Sequence, residues 1–154
     1  MSNDVEIDQQ DPKSPGAQEM LDALWDEIQR RYEFTAPIAL KPELFSDARG
    51  GFWIARANDE PVGSIGLIPL AEDTAELEAM YVAPGYRGTG VAKRLLQTLD
   101  DHARQHGFTS ICLRAGEPQP EALHFYDKVG FKRIANYGRW VGDPAAWCFG
   151  KELA

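Results

Sequence analysis

Tyr81-Val82-Ala83-Pro84-Gly85-Tyr86-Arg87-Gly88-Thr89-Gly90-Val91-Ala92 joins two segments of different periodicity. Upstream, Ala75 to Val82 alternates as a strand does, with Leu77, Ala79 and Tyr81 on one face and Glu76, Glu78, Met80 and Val82 on the other. Downstream, Val91, Leu95, Leu96, Leu99 and Ala103 recur every three to four residues within Gly88 to His106, which reads as an amphipathic helix with Gly107 as its C-cap. Thr109 to Arg114 is strand-like again. Strand, helix and strand make a βαβ unit, whose two strands run parallel and whose crossover is right-handed.

Toward the N-terminus, Val5 and Ile7 alternate with acids in Asp4 to Gln9, so residues 1–13 are either an edge strand or a flexible start. Ser14-Pro15 reads as an N-cap with Pro at N1, followed by Met20, Leu21, Leu24, Trp25 and Ile28 at helical spacing up to Tyr32. Phe34 to Gly51 carries Pro37, Pro42, Gly50 and Gly51, the mark of a loop with a short helical turn near Pro42 to Phe45. Phe52 to Ala57, the turn Asn58-Asp59-Glu60 and Pro61 to Leu70 make a hairpin, and Glu72-Asp73 turns the chain into the strand at Ala75. Toward the C-terminus, Pro120 to Val129 is a helix stopped by Gly130. Phe131 to Ala135 and Ala145 to Leu153 are closing strands around an aromatic loop with Tyr137 and Trp140. The sum is one α+β (mixed α/β) domain over 1–154: a mixed, mostly antiparallel twisted sheet of six to seven strands with about four flanking helices.

Composition narrows the chemistry. The chain has 154 residues, 24 acidic against 16 basic, and a formal charge of −8. With a pI near 4.8 it lacks the basic surface that nucleic acid or an anionic membrane requires, so any anionic ligand must be held locally. Cys112 and Cys148 lie in apolar runs with no paired Cys or His spacing, which argues against a disulfide framework and against a metal site. No signal-like start and no apolar run near ~18 residues occurs, the expectation for a cytoplasmic protein.

At the strand-to-helix junction, Gly88 and Gly90 allow close backbone approach to an anion. The free N–H groups of the helix's first turn favour a pyrophosphate, and Arg87 adds a local cation. An ordinary tight turn into a helix would need the same small residues. The second cluster, Ala122-Leu123-His124-Phe125-Tyr126-Asp127-Lys128-Val129-Gly130-Phe131, follows about thirty residues later.

Together these segments resemble the GNAT superfamily of acetyl-CoA-dependent N-acetyltransferases. The family pattern Gln/Arg-x-x-Gly-x-Gly/Ala falls on Arg87, Gly90 and Ala92. The signature A-x-x-F/L-Y-x-K-x-G-F falls on Ala122, Phe125, Tyr126, Lys128, Gly130 and Phe131. No Gly-Lys-Ser/Thr follows, so this is not a Walker A loop. The resemblance implies acetyl-CoA as acyl donor, its pyrophosphate cradled by the backbone of Arg87, Gly88, Thr89, Gly90, Val91 and Ala92. It also implies a pantetheine arm against the backbone of Met80, Tyr81 and Val82, between parallel strands that splay apart. Tyr126 matches the family tyrosine near the thioester sulfur, a candidate acid for the departing thiolate, although a core tyrosine anchoring its helix by packing and one hydroxyl hydrogen bond would look the same. The backbone N–H near Met80 or Tyr81 is the oxyanion candidate. Glu76 aligns with a strand glutamate that some members use through water as a base, with Glu78 on the same face able to raise its proton affinity. A solvated strand face, or salt bridges to Arg56 or Arg114, is the alternative. Gln119 stands where many relatives have Asn, beside Gly116 and Glu117 at the end of the strand, where the cofactor arm would pass. His102, His106 and His124 read as solvent-facing.

The resemblance builds an acceptor pocket from the first helix, the loop after it and the last hairpin, with Tyr32, Phe34, Phe45, Trp53, Tyr137 and Trp140 as candidate walls. The expected reaction moves acetyl from acetyl-CoA to a primary amine of a small molecule by direct attack, with neither cysteine as nucleophile and no metal. A catalytically weak acyl-CoA-binding or sensor module, and an acetyltransferase of peptide or protein amines, are the alternatives. Expected partners are the small amine and a second copy in a homodimer, with no nucleic acid and no membrane.

Overall fold

The computed structural model describes residues 5–32 and 41–153. Seven strands form one sheet in the order β1-β2-β3-β4-β5-β7-β6. They are β1 (Glu6–Gln9), β2 (Gly51–Ala57), β3 (Glu60–Pro69), β4 (Thr74–Val82), β5 (Ser110–Ala115), β6 (Lys132–Ile134) and β7 (Trp147–Glu152). Three α-helices flank it, α1 (Pro15–Tyr32), α2 (Val91–Gln105) and α3 (Pro120–Lys128), with 3-10 turns at Pro42–Phe45, Pro84–Tyr86 and Gly138–Trp140. The expected count of about four helices is therefore three among the described residues, the remaining short segments being single turns. Every neighbouring pair is antiparallel except β4 and β5.

Local chemistry explains the boundaries. Residues 6–9 form the edge strand, paired to β2 from Glu6↔Arg56 to Gln9↔Trp53, while Asp4 lies outside the described residues. At the start of α1 the Ser14 hydroxyl accepts from the Ala17 N–H at 3.3 Å, as an N-cap does. Asn58 and Asp59, at φ 52° and 66°, close the β2–β3 hairpin in the left-handed conformation these residues tolerate. The second helix begins at Val91 rather than Gly88, because Gly88 (φ +77°) and Gly90 (φ +91°) hold the chain out of helical geometry before the first turn.

Two cores sandwich the sheet. On one face, Leu95, Leu99 and Ala103 of α2 pack with Ile65, Leu67, Ala75, Leu77 and Ile111, joined by Tyr126 of α3. On the other, Ala17, Leu21 and Leu24 of α1 cover Phe45, Phe52, Ile54 and Ala79. Each fully buried leucine contributes about 1.5–3 kcal/mol through area removed from water.

One feature of β4 overturns the alternation read from sequence. Gly66 pairs with Glu78 and Ser64 with Tyr81, so Ala79 and Met80 together oppose Ile65 in a β-bulge. Ala79 takes φ +56°, and the Ser64 hydroxyl donates to its carbonyl at 2.8 Å. Past the bulge the faces exchange: Ala79 joins the α1-side core and Tyr81 packs against it, while Leu77 and Val82 belong to the α2-side core. Glu76 and Glu78 thus do not share a face with Met80 and Val82. Alternation cannot foresee this, since the bulge costs backbone strain that only tertiary contacts offset.

Candidate active site

Pairing between β4 and β5 is confined to Thr74↔Ser110, Ala75↔Ile111 and Glu76↔Cys112. Beyond these residues β5 stays joined to β7 as far as Ala115↔Trp147, while β4 runs on to Val82 beside β3. The two parallel strands part, and backbone groups from Leu77 to Val82 face a gap instead of a ladder. Buried backbone N–H and C=O groups require partners, so the gap suits an extended, amide-bearing ligand that would pair as a strand does. The gap opens into a cleft of about 1560 Å³ that reaches α1, α2 and α3 and is lined by Met80, Tyr81, Val82, Arg87, Gly88, Gly90, Ala92, Gln119 and Tyr126 among others.

At one end of the cleft lies the N-terminus of α2. Its N-cap is Gly90, no side chain caps the first turn, and no acid stands in that turn. The first N–H groups and the positive end of the helix dipole are left for an anion. A Cβ built on Gly88 or Gly90 would meet nothing within 4 Å, so the glycines are required by their positive φ and leave the space before the turn open. Lys93 also lines the cleft. Val91 is 3% exposed and belongs to the core, so it can offer only its backbone. The Thr89 hydroxyl is turned back onto the Tyr86 carbonyl. A pyrophosphate bearing an amide arm fits these residues.

Arg87, expected as a local cation, lines the cleft and is also bonded within the protein. Its Nε donates to the Val82 carbonyl at 2.8 Å and its Nη2 pairs with Glu27 of α1 at 2.6 Å. Nearby, Arg31 makes a two-pronged contact with Glu121 at 2.6 and 2.7 Å and donates to the Pro118 carbonyl at 3.0 Å. The Arg31 guanidinium holds the Glu121 carboxyl down to about 2. Through Glu27 and Arg31, α1 is tied to the chain following each of the two parting strands.

The strand carboxyls find partners that sequence reasoning did not name. Glu76 is 1% exposed. Its Oε2 accepts from the Tyr137 hydroxyl at 2.6 Å, and its Oε1 lies 3.5 Å from Arg139 Nη2. The same Arg139 nitrogen donates to Glu78 Oε2 at 2.9 Å. Glu78 lines the cleft and Glu76 does not. Burial, together with the charge and hydrogen bond of Glu76, raises the Glu78 carboxyl well above the ordinary carboxylate range, and Arg139 partly opposes this. The Gly138–Trp140 turn brings Arg139 over the pair as an ion-pair partner of both carboxyls, and Arg114 lies over the Trp140 ring at 4.9 Å.

Tyr126 is 6% exposed and packs edge-on against Phe125 and Phe131, each at 5.5 Å. Its hydroxyl has no hydrogen-bond partner among the described residues, so the anchoring bond of a purely structural tyrosine is missing there. Burial and the nearby Glu78 raise the phenol above its ordinary value, so it stays protonated. Burial pushes the Cys112 thiol up to about 11, a poor state for a nucleophile.

Of the candidate acceptor walls, Trp140 lines the cleft, together with Leu21, Asp22, Trp25 and Ile28 of α1 and Leu44 of the Pro42–Phe45 turn, none of which the sequence marked as a wall. Phe45 and Trp53 are core residues, 2% and 4% exposed, and Tyr137 is committed to Glu76. Phe34 and the side chain of Tyr32 lie outside the described residues. His102 and His106 are half-buried rather than fully solvent-facing: their ring centroids lie 4.1 Å apart with the planes tilted by 30°, and His102 lies edge-on to Trp53 at 4.8 Å. Arg49 bonds to both: its guanidinium donates to the His106 carbonyl at 2.8 Å, and its own carbonyl lies 3.2 Å from His102 Nε2. His124 is exposed.

Comparisons agree with this geometry. Residues 17–131 match the acetyltransferase (GNAT) family. A rat protein described as N-acetyltransferase 8B is 32% identical over 97 residues, covering 60% of this chain and 44% of that protein. The chain spans less than half the length of several curated vertebrate relatives it matches. An acetyltransferase crystal structure from Streptococcus agalactiae superposes with a TM-score of 0.80 at 26% identity, covering 99% of this chain and all of that one. A GNAT family acetyltransferase from Elizabethkingia anophelis with acetyl-CoA bound superposes with a TM-score of 0.72 at 17% identity, over 99% of this chain and 100% of that one. No described helix is long and apolar enough to cross a membrane.

Proposed function

The chain belongs to the acetyltransferase (GNAT) family, and on that premise we propose that it transfers an acetyl group from acetyl-CoA to the primary amine of a small molecule by direct attack. The observation that carries this reading is the parting of β4 and β5 beside an uncapped helix N-terminus. That combination supplies backbone donors and acceptors for the amide arm and N–H groups for the pyrophosphate of one ligand.

Acetyl-CoA, when bound, supplies an activated thioester. The backbone from Gly88 to Ala92 holds the pyrophosphate, and Arg87 braces this turn through the Val82 carbonyl and Glu27. Ala79 and Met80, which the bulge leaves without pairing residues on β3, offer N–H groups toward a carbonyl oxygen. Tyr126 presents its protonated hydroxyl to the sulfur. Glu78 rather than Glu76 is the proton acceptor for the amine, because it is the carboxyl that meets the cleft, where burial and the neighbouring Glu76 raise its proton affinity. The acceptor enters beside α1 and Trp140. Leu21, Trp25 and Ile28 are there to cover an apolar body, and Asp22 is there to face a cationic nitrogen.

Acetyl-CoA binding followed by calorimetry, with free CoA release measured across aromatic and aliphatic amines, polyamines and peptides, tests the proposal. Tight binding with release dependent on a small amine is expected. Release with peptides alone would transfer the reading to protein amines. Binding without release from any amine would favour a sensor, and no binding would overturn the donor assignment.

A further inference from the structure

Glu76 and Glu78 are two residues apart, and the fold treats them in opposite ways. Glu76 is among the largest fully buried side chains of the molecule, yet its carboxyl is held by the Tyr137 hydroxyl at 2.6 Å and approached by Arg139 at 3.5 Å. Glu78 keeps 15% exposure, lines the cleft, and draws on the same Arg139 nitrogen at 2.9 Å. A buried ion pair is weak evidence for stability, since well-packed apolar residues often replace one without loss. Glu76 is in contact with the one carboxyl of the pair that meets the cleft.

We propose that Glu76 is a positioning residue for proton removal: a buried carboxylate, locked by Tyr137 and Arg139, that holds Glu78 toward the cleft as the proton acceptor for the incoming amine. The proposal rests on the acetyltransferase reading and on Glu78 as its acceptor. As the amine nitrogen bonds the acetyl carbon, its proton passes to a Glu78 oxygen. The carbon–sulfur electron pair leaves on sulfur with the Tyr126 proton, and exchange with solvent then empties Glu78 and refills Tyr126.

The charges facing the pair come from several elements. The turn after β6 supplies Arg139 and Tyr137, β5 supplies Cys112, β7 supplies Cys148, α3 supplies Tyr126, and α1 places Asp22 and Glu27 on the same cleft. Two carboxyls share one guanidinium, so the pair takes up a proton more readily than either carboxyl alone, and the proton's place is set by which carboxyl is better satisfied. Glu76 spends an oxygen on the Tyr137 hydroxyl at 2.6 Å and does not line the cleft, whereas Glu78 does, which leaves Glu78 to receive the amine's proton.

The test is a titration that needs no acceptor. Protein labelled with ¹³C at the glutamate side chains is followed by NMR against pH, with Glu78→Gln assigning the Glu78 signal. Glu76→Gln is expected to move the Glu78 midpoint down by about one pH unit or more, because the neighbouring negative charge is gone. Tyr137→Phe keeps the Glu76 carboxyl but removes its donor, and is expected to move the midpoint of the pair up. With any amine that supports turnover, the acid limb of kcat/KM moves in the same directions, and acetyl-CoA affinity stays as in the unaltered protein. An unmoved midpoint in either variant, or a loss of rate at every pH with the limb in place, would overturn the proposal and make Glu76 a structural residue. Full activity of Glu78→Gln would instead sink Glu78 as acceptor, and absent acetyl-CoA binding would sink the acetyltransferase reading itself.

Discussion

Replacing Gly90 by glutamate separates what this residue does for the fold from what it does for the ligand. The backbone there sits at φ +91°, and a Cβ would meet nothing within 4 Å. A side chain at this position therefore incurs left-handed strain of about 1–2 kcal/mol and no clash. A carboxylate at a helix N-terminus recovers about 0.3–1 kcal/mol from the dipole. The net loss, of order 1 kcal/mol, lowers the melting temperature of a domain this size by about 2–4 °C. Ligand binding responds on another scale. The new carboxylate occupies the open space before the first turn and takes its N–H groups. Losing two charge-assisted hydrogen bonds at about 1.5–3 kcal/mol each is worth ~3–6 kcal/mol, or ~10²- to 10⁴-fold in affinity at 1.4 kcal/mol per decade. Gly90→Ala is the control: it carries the full strain with neither charge nor reach, so it melts no higher than Gly90→Glu yet binds within about tenfold of the unaltered chain. Calorimetric titration of acetyl-CoA into the three proteins, with thermal melts of the same samples, gives both readouts. If Gly90→Glu bound acetyl-CoA within a few-fold of the unaltered chain, the anion site would have to lie elsewhere.

The remaining predictions concern single side chains. Tyr126→Phe is expected to lower turnover by ~10- to 10²-fold with acetyl-CoA affinity and stability nearly unchanged, since the hydroxyl has no protein partner among the described residues to lose; equal turnover would remove the tyrosine from the chemistry. Gly66→Ala would drive a Cβ into the edge of the Phe45 ring at Cε1, overpacking a ring that is 2% exposed, and should cost about 1–3 kcal/mol in chemical denaturation. Combined with Phe45→Leu most of that cost should vanish, and additive losses would mean that the strain lies elsewhere. His102 is lowered first by burial, with the neighbouring His106 also opposing its charge. Its folded form resists protonation, so its contribution to stability is complete above its ordinary value near 6.5 and declines as pH falls below that. Chemical denaturation of His102→Gln should show a shallower loss on acidification than the unaltered chain, and parallel pH curves would contradict the assignment.

Much of this protein was legible in one dimension. The period change at Ala83 to Gly90 is enough to mark a strand, an anion-ready turn and a helix, because each depends on local φ preferences and on spacing within a few residues. Ser14-Pro15 likewise set the start of α1 through a contact three residues long. The glycines of the cradle and Tyr126 were readable for the same reason: a turn that needs positive φ and a motif on one helix are written contiguously.

The partners of the strand carboxyls and the lining of the cleft beside α1 were not. Ala79 is an alanine in a left-handed conformation, which nothing in its own neighbourhood requests. The bulge exists because the Ser64 hydroxyl donates to its carbonyl and the α1-side core takes its methyl, and it reassigns every face beyond it. Arg139 lies 61 residues from Glu78 in sequence and reaches it only because β7 returns beside β5 and carries the preceding turn over the gap. Glu76 and Glu78 look alike to any alternation rule, and it is the packing of Tyr137 and Arg139 that buries one and leaves the other at the cleft. Sequence alone determined the βαβ frame and the positive-φ glycine turn at the start of α2 through local backbone preference. Tertiary structure alone decided which carboxyl meets the cleft, because burial and charge pairing are properties of elements brought together from far apart in the chain.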